Sequence, residues 1–236
     1  KWEVKHTFDV GVDFSAFQSR LNVTLDWYTS KTKDLLYTYT VPVPPFTYNT
    51  LLANMGQMTN SGFEIGVRGD IIRTKDFTFN SGLNLSFQQN KLNTLSGTYK
   101  GQALTTSEHI AVANINAAGL TQNTGVTYLI EGQPIGVFYL PHCEGINANG
   151  QYIITDLDKN GTIDTGDSGD RYVCGQAIPK AYLGWDFTFK YKNWDLAMQF
   201  NGAFGHKIYN GTGMTYSNMN NFPTYNVLAD APEKGI

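Results

Sequence analysis

A strict two-residue alternation of apolar and polar side chains is the clearest pattern in this chain, and it occurs in six segments. Such alternation predicts β-strands that have one apolar and one polar face. The apolar positions are Phe8, Val10, Val12 and Phe14; Leu21, Val23, Leu25 and Trp27; Phe63, Ile65 and Val67; Phe77, Phe79, Leu83, Leu85 and Phe87; Leu183, Trp185, Phe187, Phe189 and Tyr191; and Trp194, Leu196, Met198 and Phe200. Short turns join the segments in pairs, so the pattern predicts three antiparallel hairpins.

The connections between these hairpins are much longer than the turns within them. Residues 29–61 and 88–181 separate the hairpins, whereas loops beyond about 15 residues are uncommon in compact domains. Bacterial outer-membrane barrels show this asymmetry, because their short turns face the periplasm and their long loops face outward. The fold class predicted is therefore all-β, an antiparallel transmembrane β-barrel portion of about six strands in three hairpins. Residues 29–61 and 88–181 are predicted to be long extracellular loops.

Six strands do not close a membrane barrel by themselves. The smallest ordinary barrel has about eight strands, and an open edge would leave unpaired backbone groups in lipid. The chain is either an interior piece of a larger barrel or a soluble sheet that its own loops cover. It begins almost directly on a strand and ends in an apparent loop, and these ends favour the expectation of a piece.

The composition supports a β-rich fold and argues against some functions. The 236 residues carry a formal charge of -3 and contain no basic run, so nucleic-acid binding is not expected. Aromatic residues make up 14% and charged residues only 16%, which favours strands and turns over helices. The acidic residues on the polar faces either contact a plug or a solute, or they form a hydrated lumen wall, which alternation alone explains. These residues are Asp9, Asp13, Asp26, Glu64, Asp186 and Asp195.

The segment TDLDKNGTIDTGD, residues 155–167, matches the twelve-position pattern of a calcium loop. No amphipathic helix flanks it, so a helix-loop-helix sensor is not expected. The hypothesis is a calcium-stabilised extracellular loop, and the alternative is an Asx-rich turn without an ion. Its predicted ligands are the side chains of Asp156, Asp158, Asn160, Asp164 and Asp167, and the Thr162 carbonyl.

Cys143 and Cys174 are the only cysteines and lie on either side of this loop. They form either a disulfide that closes the loop, which requires an oxidising compartment, or two unrelated thiols. The four histidines lack zinc-ligand spacing, and no nucleophile motif or phosphate-binding loop is present in the sequence. The sequence therefore predicts no enzyme. Two aromatic segments, YTYTVPVPPFTYN and GMTYSNMNNFPTYN, could stack on sugars, meet a lid protein or cover one another.

Five motifs in order resemble the SusC-like (RagA-type) TonB-dependent outer-membrane transporters. They are YTSKTKDLLY, NMGQMTNSGFEIGV, EGQPIGVFY, DLDKNGTIDTGD and NGAFGHKIYN. The resemblance implies a barrel of about 22 strands with a plugged lumen, in the bacterial outer membrane. It implies import of a large nutrient, an oligosaccharide or a peptide, with energy from TonB and a SusD-like surface lipoprotein as partner. Residues 1–236 would form part of the carboxy-terminal half of one such barrel domain, without the plug, the TonB box or the final strand.

Two classes of function therefore remain open. The first is the barrel component of a SusC/SusD-type importer, in contact with outer-membrane lipid. The second is a soluble or surface-attached, calcium-stabilised, β-rich module that binds a glycan. Detergent dependence separates them, because the importer would expose Phe8, Val23 and Phe187 to lipid whereas the module would be stable in buffer.

Overall fold

The computed structural model describes residues 2–115, 124–149, 151–166, 169–219 and 222–234. The chain divides into two compact units, residues 1–106, 131–134 and 178–206, and residues 107–130, 135–177 and 207–236. The strands are β1 (Val4–Ala16), β2 (Leu21–Thr40), β3 (Thr50–Arg73), β4 (Phe77–Thr94), β5 (Gly97–Tyr99), β6 (Gln102–Leu104), β7 (His109–Ile115), β8 (Thr124–Ile130), β9 (Val137–Pro141), β10 (Cys143–Ile146), β11 (Tyr152–Ile154), β12 (Arg171–Gln176), β13 (Ala181–Tyr191) and β14 (Trp194–Phe204). The helices are α1 (Gly211–Ser217) and α2 (Ala231–Lys234).

The first unit contains a six-stranded antiparallel sheet in the order β1-β2-β3-β4-β13-β14. The three predicted hairpins, β1-β2, β3-β4 and β13-β14, are confirmed. Two further pairings, β2 with β3 and β4 with β13, join these hairpins into one continuous sheet. This sheet has two free edges within the described strands, as a portion of a larger barrel requires.

The strand register places the alternating apolar residues on one face of this sheet. Val12, Leu25, Ile65, Leu85 and Leu183 form one such row across five strands. This face is exposed rather than packed, with Phe8 62% and Val12 60% accessible. A continuous exposed apolar face of this kind is stable in contact with lipid and unstable in water.

The segment 29–61 is mostly strand, which corrects its prediction as a long loop. β2 runs to Thr40 and β3 begins at Thr50, so the connection is only residues 41–49. The ladder continues across a bulge near Leu35, and a small core formed by Tyr39, Val41, Ala53 and Leu104 supports it. Aromatic and hydroxyl residues alternate here, a pattern that an apolar-to-polar search does not detect.

The segment 88–181, also predicted as a loop, contains β5 to β12 and the last residues of β4. Within the first unit, the Glu131 carboxylate connects residues of this segment to the end of β4. Glu131 Oε1 accepts hydrogen bonds from Leu95 N at 2.6 Å, Ser96 N at 2.9 Å, and the Ser96 and Thr94 hydroxyls at 3.0 Å each. Burial would raise the pKa of Glu131, but these hydrogen bonds outweigh it and lower the pKa below its ordinary value of 4.5.

The second unit contains a four-stranded sheet in the order β12-β9-β8-β7 and the β10-β11 hairpin. Its buried apolar residues include Val126, Val137 and Tyr128, which is 0% exposed. The Tyr128 hydroxyl accepts a hydrogen bond of 2.8 Å from the Arg171 guanidinium, so a buried phenol keeps a partner. No helix within the described ranges is long and apolar enough to span a membrane.

Candidate functional site

The polar face of the six-stranded sheet forms a concavity of about 510 Å³. Its lining includes Thr24, Asp26, Glu64, Asn84, Gly184 and Asn201. In one row of the ladder, Thr24, Gly66, Asn84, Gly184 and Asn201 follow one another across five strands. Glycine on alternate strands removes side chains from the floor and leaves hydroxyl and amide groups accessible between them.

Arg68 and Asp186 form an ion pair across this polar face. The two residues lie on β3 and β13, with Gly82 of β4 between them in the ladder. Arg68 Nη2 donates to Asp186 Oδ1 at 3.1 Å, and a Cβ atom at Gly82 would lie 2.6 Å from that oxygen. The glycine therefore gives the guanidinium room to reach over β4. Because both side chains are well exposed, the pair itself contributes only about 0 to 1 kcal/mol.

The other predicted lumen carboxylates lie on the same face by strand alternation. Asp9, Asp13 and Asp26 belong to β1 and β2, Glu64 to β3, and Asp195 to β14. The Ser86 hydroxyl faces Glu64 Oε1 at 3.5 Å. The geometry is that of a hydrated polar wall with accessible acidic groups.

The acidic loop brings three carboxylates together, from Asp156, Asp158 and Asp170. One oxygen from each lies within 4.8 Å of the others, a spacing that suits a hard cation with oxygen ligands. The first two were predicted ligands, whereas Asp170 was not. It lies beyond the twelfth position of the loop pattern, so the pattern offered no place for it.

Asp170 is 1% exposed and organises the loop from inside. Its carboxylate accepts hydrogen bonds from the amides of Asp164 at 2.9 Å and Leu157 at 2.7 Å. The bond from the Asp164 amide, together with those from Leu157 and Asp158, lowers the pKa of Asp170. Asp170 therefore remains ionised at neutral pH, as a cation ligand must.

The side chains of the predicted ligands accept hydrogen bonds from nearby groups of the same loop. Asp156 Oδ2 accepts from Gly161 N at 2.8 Å, and Asp158 Oδ2 accepts from the Asn160 amide group at 2.7 Å. Gly161 has φ of +83°, a conformation that favours glycine at the sixth position. Thr162 N donates to Asn160 Oδ1 at 2.7 Å, and Asp164 Oδ1 accepts from Gly166 N at 2.8 Å. Asp167 lies outside the described residues. The loop is thus built of Asx turns around three converging carboxylates, a geometry compatible with both interpretations.

The two cysteines, for which a disulfide and two unrelated thiols were the alternatives, are free thiols in this structure. β12 pairs with β9 so that Arg171 faces Pro141. Cys143 lies two residues after Pro141, whereas Cys174 lies three residues along β12 in the other direction. Three residues of strand span roughly 10 Å, whereas bridged cysteines need Cα atoms within about 7 Å. Burial raises the pKa of the Cys174 thiol, and the charge of Lys207 opposes this shift in part.

A chain of polar contacts links the β10-β11 hairpin to the start of the acidic loop. His142 Nδ1 lies 2.8 Å from the Thr155 hydroxyl, which donates to Glu144 Oε1 at 2.9 Å. Thr155 N also donates to the His142 carbonyl at 3.0 Å. Thr155 precedes the first predicted ligand, Asp156, so these contacts position the beginning of the loop.

The two aromatic segments differ in structure. The first forms the end of β2 and the connection to β3, where Val43 and Tyr48 are exposed while Phe46 packs against the core around Tyr39. The second begins within α1, whose amino terminus is capped by the Asn210 side chain, which accepts from Gly213 N at 2.7 Å. Tyr225 in this segment is exposed.

Comparison with known proteins gives consistent matches across the chain. The family model described as "TonB dependent receptor-like, beta-barrel" matches residues 1–202. TonB-dependent receptor P3 of Formosa agariphila is 28% identical over 229 residues, covering 90% of this chain and 21% of the relative. TonB-dependent receptor SusC of Bacteroides thetaiotaomicron is 28% identical over 212 residues, covering 89% of this chain and 20% of the relative.

The solved structures show the same fold. The structure titled "Structure of the RagAB peptide transporter" superposes with a TM-score of 0.68 at 21% identity, covering 92% of this chain and 23% of that chain. The RagAB peptide importer in the "closed-closed" state gives a TM-score of 0.67 at 19% identity, covering 91% of this chain and 23% of that chain. The chain spans about a fifth of the length of the curated relatives that it matches.

Proposed function

The chain belongs to the TonB-dependent receptor β-barrel family, and from this premise we propose that the whole protein imports a large nutrient across the bacterial outer membrane. Members of this family are outer-membrane β-barrel proteins, so the predicted location and the predicted barrel fold are confirmed. The family consists of transporters rather than enzymes. The observation that carries the proposal is the two-faced sheet, with an exposed apolar surface opposite a polar concavity of about 510 Å³.

The proposed cargo is an oligosaccharide or a peptide, taken up together with a SusD-like surface lipoprotein. Similarity to SusC and to the RagAB peptide transporter supports this class of system. Energy would come from TonB, through a segment that does not belong to these residues. The hydroxyl, amide and carboxylate groups of Thr24, Asn84, Asn201 and Glu64 present hydrogen-bonding partners that suit either a sugar or a peptide backbone.

Uptake by the full-length protein tests this proposal. Cells that express it with its neighbouring lipoprotein should accumulate a fluorescent oligosaccharide or peptide pool, and deletion of TonB should abolish the accumulation. A carbonate wash should leave the protein in the membrane fraction, with detergent required for extraction. A protein that dissolves in buffer and binds glycans without detergent would instead support the soluble module. Membrane retention without TonB-dependent uptake of either pool would contradict the import proposal alone.

We further propose that the acidic loop binds calcium with Asp156, Asp158 and Asp170 at its centre. The fit rests on three converging carboxylates, of which the buried Asp170 is held ionised by backbone amides. Calorimetry on the full-length protein in detergent should show calcium-dependent heat that Asp170→Asn removes. Asp76→Asn, in an exposed short turn, is the matched control and should leave the heat unchanged. Absence of heat at millimolar calcium would favour the Asx turn without an ion.

A further inference from the structure

The apolar face of the sheet ends, on the side of the long connections, in a row of aromatic residues. Trp27, Phe63 and Phe87 lie side by side on β2, β3 and β4. They line a groove of about 280 Å³ together with Ser61 and Gln89. Aromatic residues at this level mark the boundary between lipid chains and headgroups. Since long loops of such barrels are extracellular, this boundary belongs to the outer leaflet.

Four basic residues follow on the same face, four to six residues beyond the aromatic row. We call them the outward basic row, and they are His6, Lys31, Lys33 and Lys91. His6 pairs with Lys31 in the ladder, Lys31 with Thr59, and Thr59 with Lys91. Alternation from Trp27 to Lys31 and Lys33, and from Phe87 to Lys91, is uninterrupted, so these side chains share the lipid-facing side.

The dimensions of the row suit one phosphorylated headgroup. Lys31 and Lys91 lie two strands apart, or about 10 Å, and Lys31 and Lys33 lie about 7 Å apart along β2. Flexible four-carbon stems let lysine ammonium groups converge on a shared anion. All four side chains of the outward basic row are exposed.

The charge on this face is not balanced by acids at the alternating positions of the strands. At the positions of the six-stranded sheet that alternate onto the lipid-facing side there is no Asp or Glu among the paired residues, and Asp34, next to Lys33, lies at the bulge of β2. Two acidic residues lie three positions from His6: Asp9 is on the polar face, and Glu3 Oε1 accepts a hydrogen bond from Leu36 N at 3.0 Å. A row of basic residues at such a surface attracts anionic headgroups.

We propose that the outward basic row and the aromatic groove beneath it form a binding site for a phosphate-bearing lipid of the outer leaflet. The ammonium groups of Lys31, Lys33 and Lys91, with His6, bind the phosphate. The groove beside Trp27 takes the beginning of an acyl chain. Two observations support this occupant: the site is continuous with the lipid-facing surface, and its charge is opposite to that of a phosphate. The site does not depend on which nutrient the protein imports.

A lipid-binding titration of the delipidated full-length protein in detergent tests the site. The probes are lipid A with its phosphate groups, the same lipid A after enzymatic removal of the phosphates, and inorganic phosphate as a competitor. Native mass spectrometry counts the bound lipid. The double variant Lys31→Gln/Lys91→Gln should bind phosphorylated lipid A about thirtyfold more weakly, from the usual contribution of each lysine near an anionic surface. Higher salt should reduce this difference.

The matched control is Lys190→Gln/Lys192→Gln, which removes the same charge at the short-turn end of the sheet. It should bind the lipid as the unchanged protein does, and Lys31→Arg/Lys91→Arg should restore binding. Equal affinity of the Lys31→Gln/Lys91→Gln variant for phosphorylated lipid A would overturn the proposal. So would equal binding of the dephosphorylated lipid, which would show that the lysines only flank an apolar contact. Full displacement by millimolar inorganic phosphate would assign the row to free phosphate and would also overturn the lipid site.

Discussion

Replacement of Glu131 should open the junction at the end of β4. In Glu131→Ala, the amides of Leu95 and Ser96 lose the oxygen that they share, and the hydroxyls of Ser96 and Thr94 lose it as well. A hydrogen bond to a charged group contributes about 1.5 to 3 kcal/mol when water is excluded. Because Glu131 is exposed, water replaces many of the lost hydrogen bonds. We therefore expect the free energy of local opening to fall by about 2 kcal/mol.

Hydrogen exchange at the two amides measures this loss directly. A change of about 2 kcal/mol in local opening corresponds to about thirtyfold faster exchange at Leu95 and Ser96. Glu131→Gln retains an acceptor oxygen without the charge, so its effect should be about fivefold. Two backbone bonds, Leu92 N to Gln133 O and Gly132 N to Leu92 O, do not involve this carboxylate. The amide of Leu92 should therefore stay protected in both variants.

The pH dependence gives an independent check on the same carboxylate. The folded pKa of Glu131 is lowered from 4.5, so its stabilisation is fully present above about pH 4.5 and is lost as the pH falls through the folded value. After correction for intrinsic rates, exchange at Leu95 and Ser96 should accelerate only in that acidic range. Glu108→Ala, at an exposed position, is the control. Unchanged protection of Leu95 and Ser96 in Glu131→Ala would refute the assignment of Glu131 as the anchor of this junction.

Three further predictions concern the sheet and its core. Gly82→Ala should separate Asp186 from the Arg68 guanidinium and destabilise the barrel by about 0.5 to 1 kcal/mol. In gel electrophoresis of the full-length protein, the compact folded band should be lost at a lower temperature. Leu25→Arg, near the middle of the apolar band, should cost about 2 to 4 kcal/mol and reduce assembly in the outer membrane, whereas a normal yield would argue against lipid contact there. Tyr39→Phe removes the buried hydroxyl that donates to the Leu95 carbonyl at 2.5 Å, and the unfolding free energy should fall by about 1 kcal/mol.

The sheet was predictable because its signal is local. Apolar and polar residues alternate within each of β1, β4, β13 and β14, and lipid outside with water inside forces this alternation on every strand. The pairing within each of the three hairpins follows from its short turn. The pairing of β4 with β13 follows only after the barrel is assumed, because the intervening segment carries no signal for it.

The upper parts of β2 and β3 were missed for a physical reason. Beyond the apolar band both faces meet water or other protein, so alternation such as that of Tyr37 and Tyr39 with Thr38 no longer separates apolar from polar residues. The acidic loop shows a similar limit. A twelve-position pattern found Asp156 and Asp158, but Asp170 reaches them only because β12 begins beside the loop. The sequence left the disulfide and the two unrelated thiols open as alternatives, because separation in sequence says nothing of strand register.

The closure of the chain between β4 and β13 has a consequence for how these proteins assemble and diversify. Gln88 N donates to the Lys180 carbonyl at 2.9 Å, and Gln88 Nε2 donates to the Pro179 carbonyl at 3.1 Å. The two ends of a long insertion are thus clamped together at the sheet. The entropy of closing such a loop grows only with the logarithm of its length, so the insertion can lengthen, shorten or be exchanged at little cost to the sheet. The three hairpins form from local contacts, whereas this clamp closes a much longer loop, so we expect the pairing of β4 with β13 to form more slowly than the hairpins.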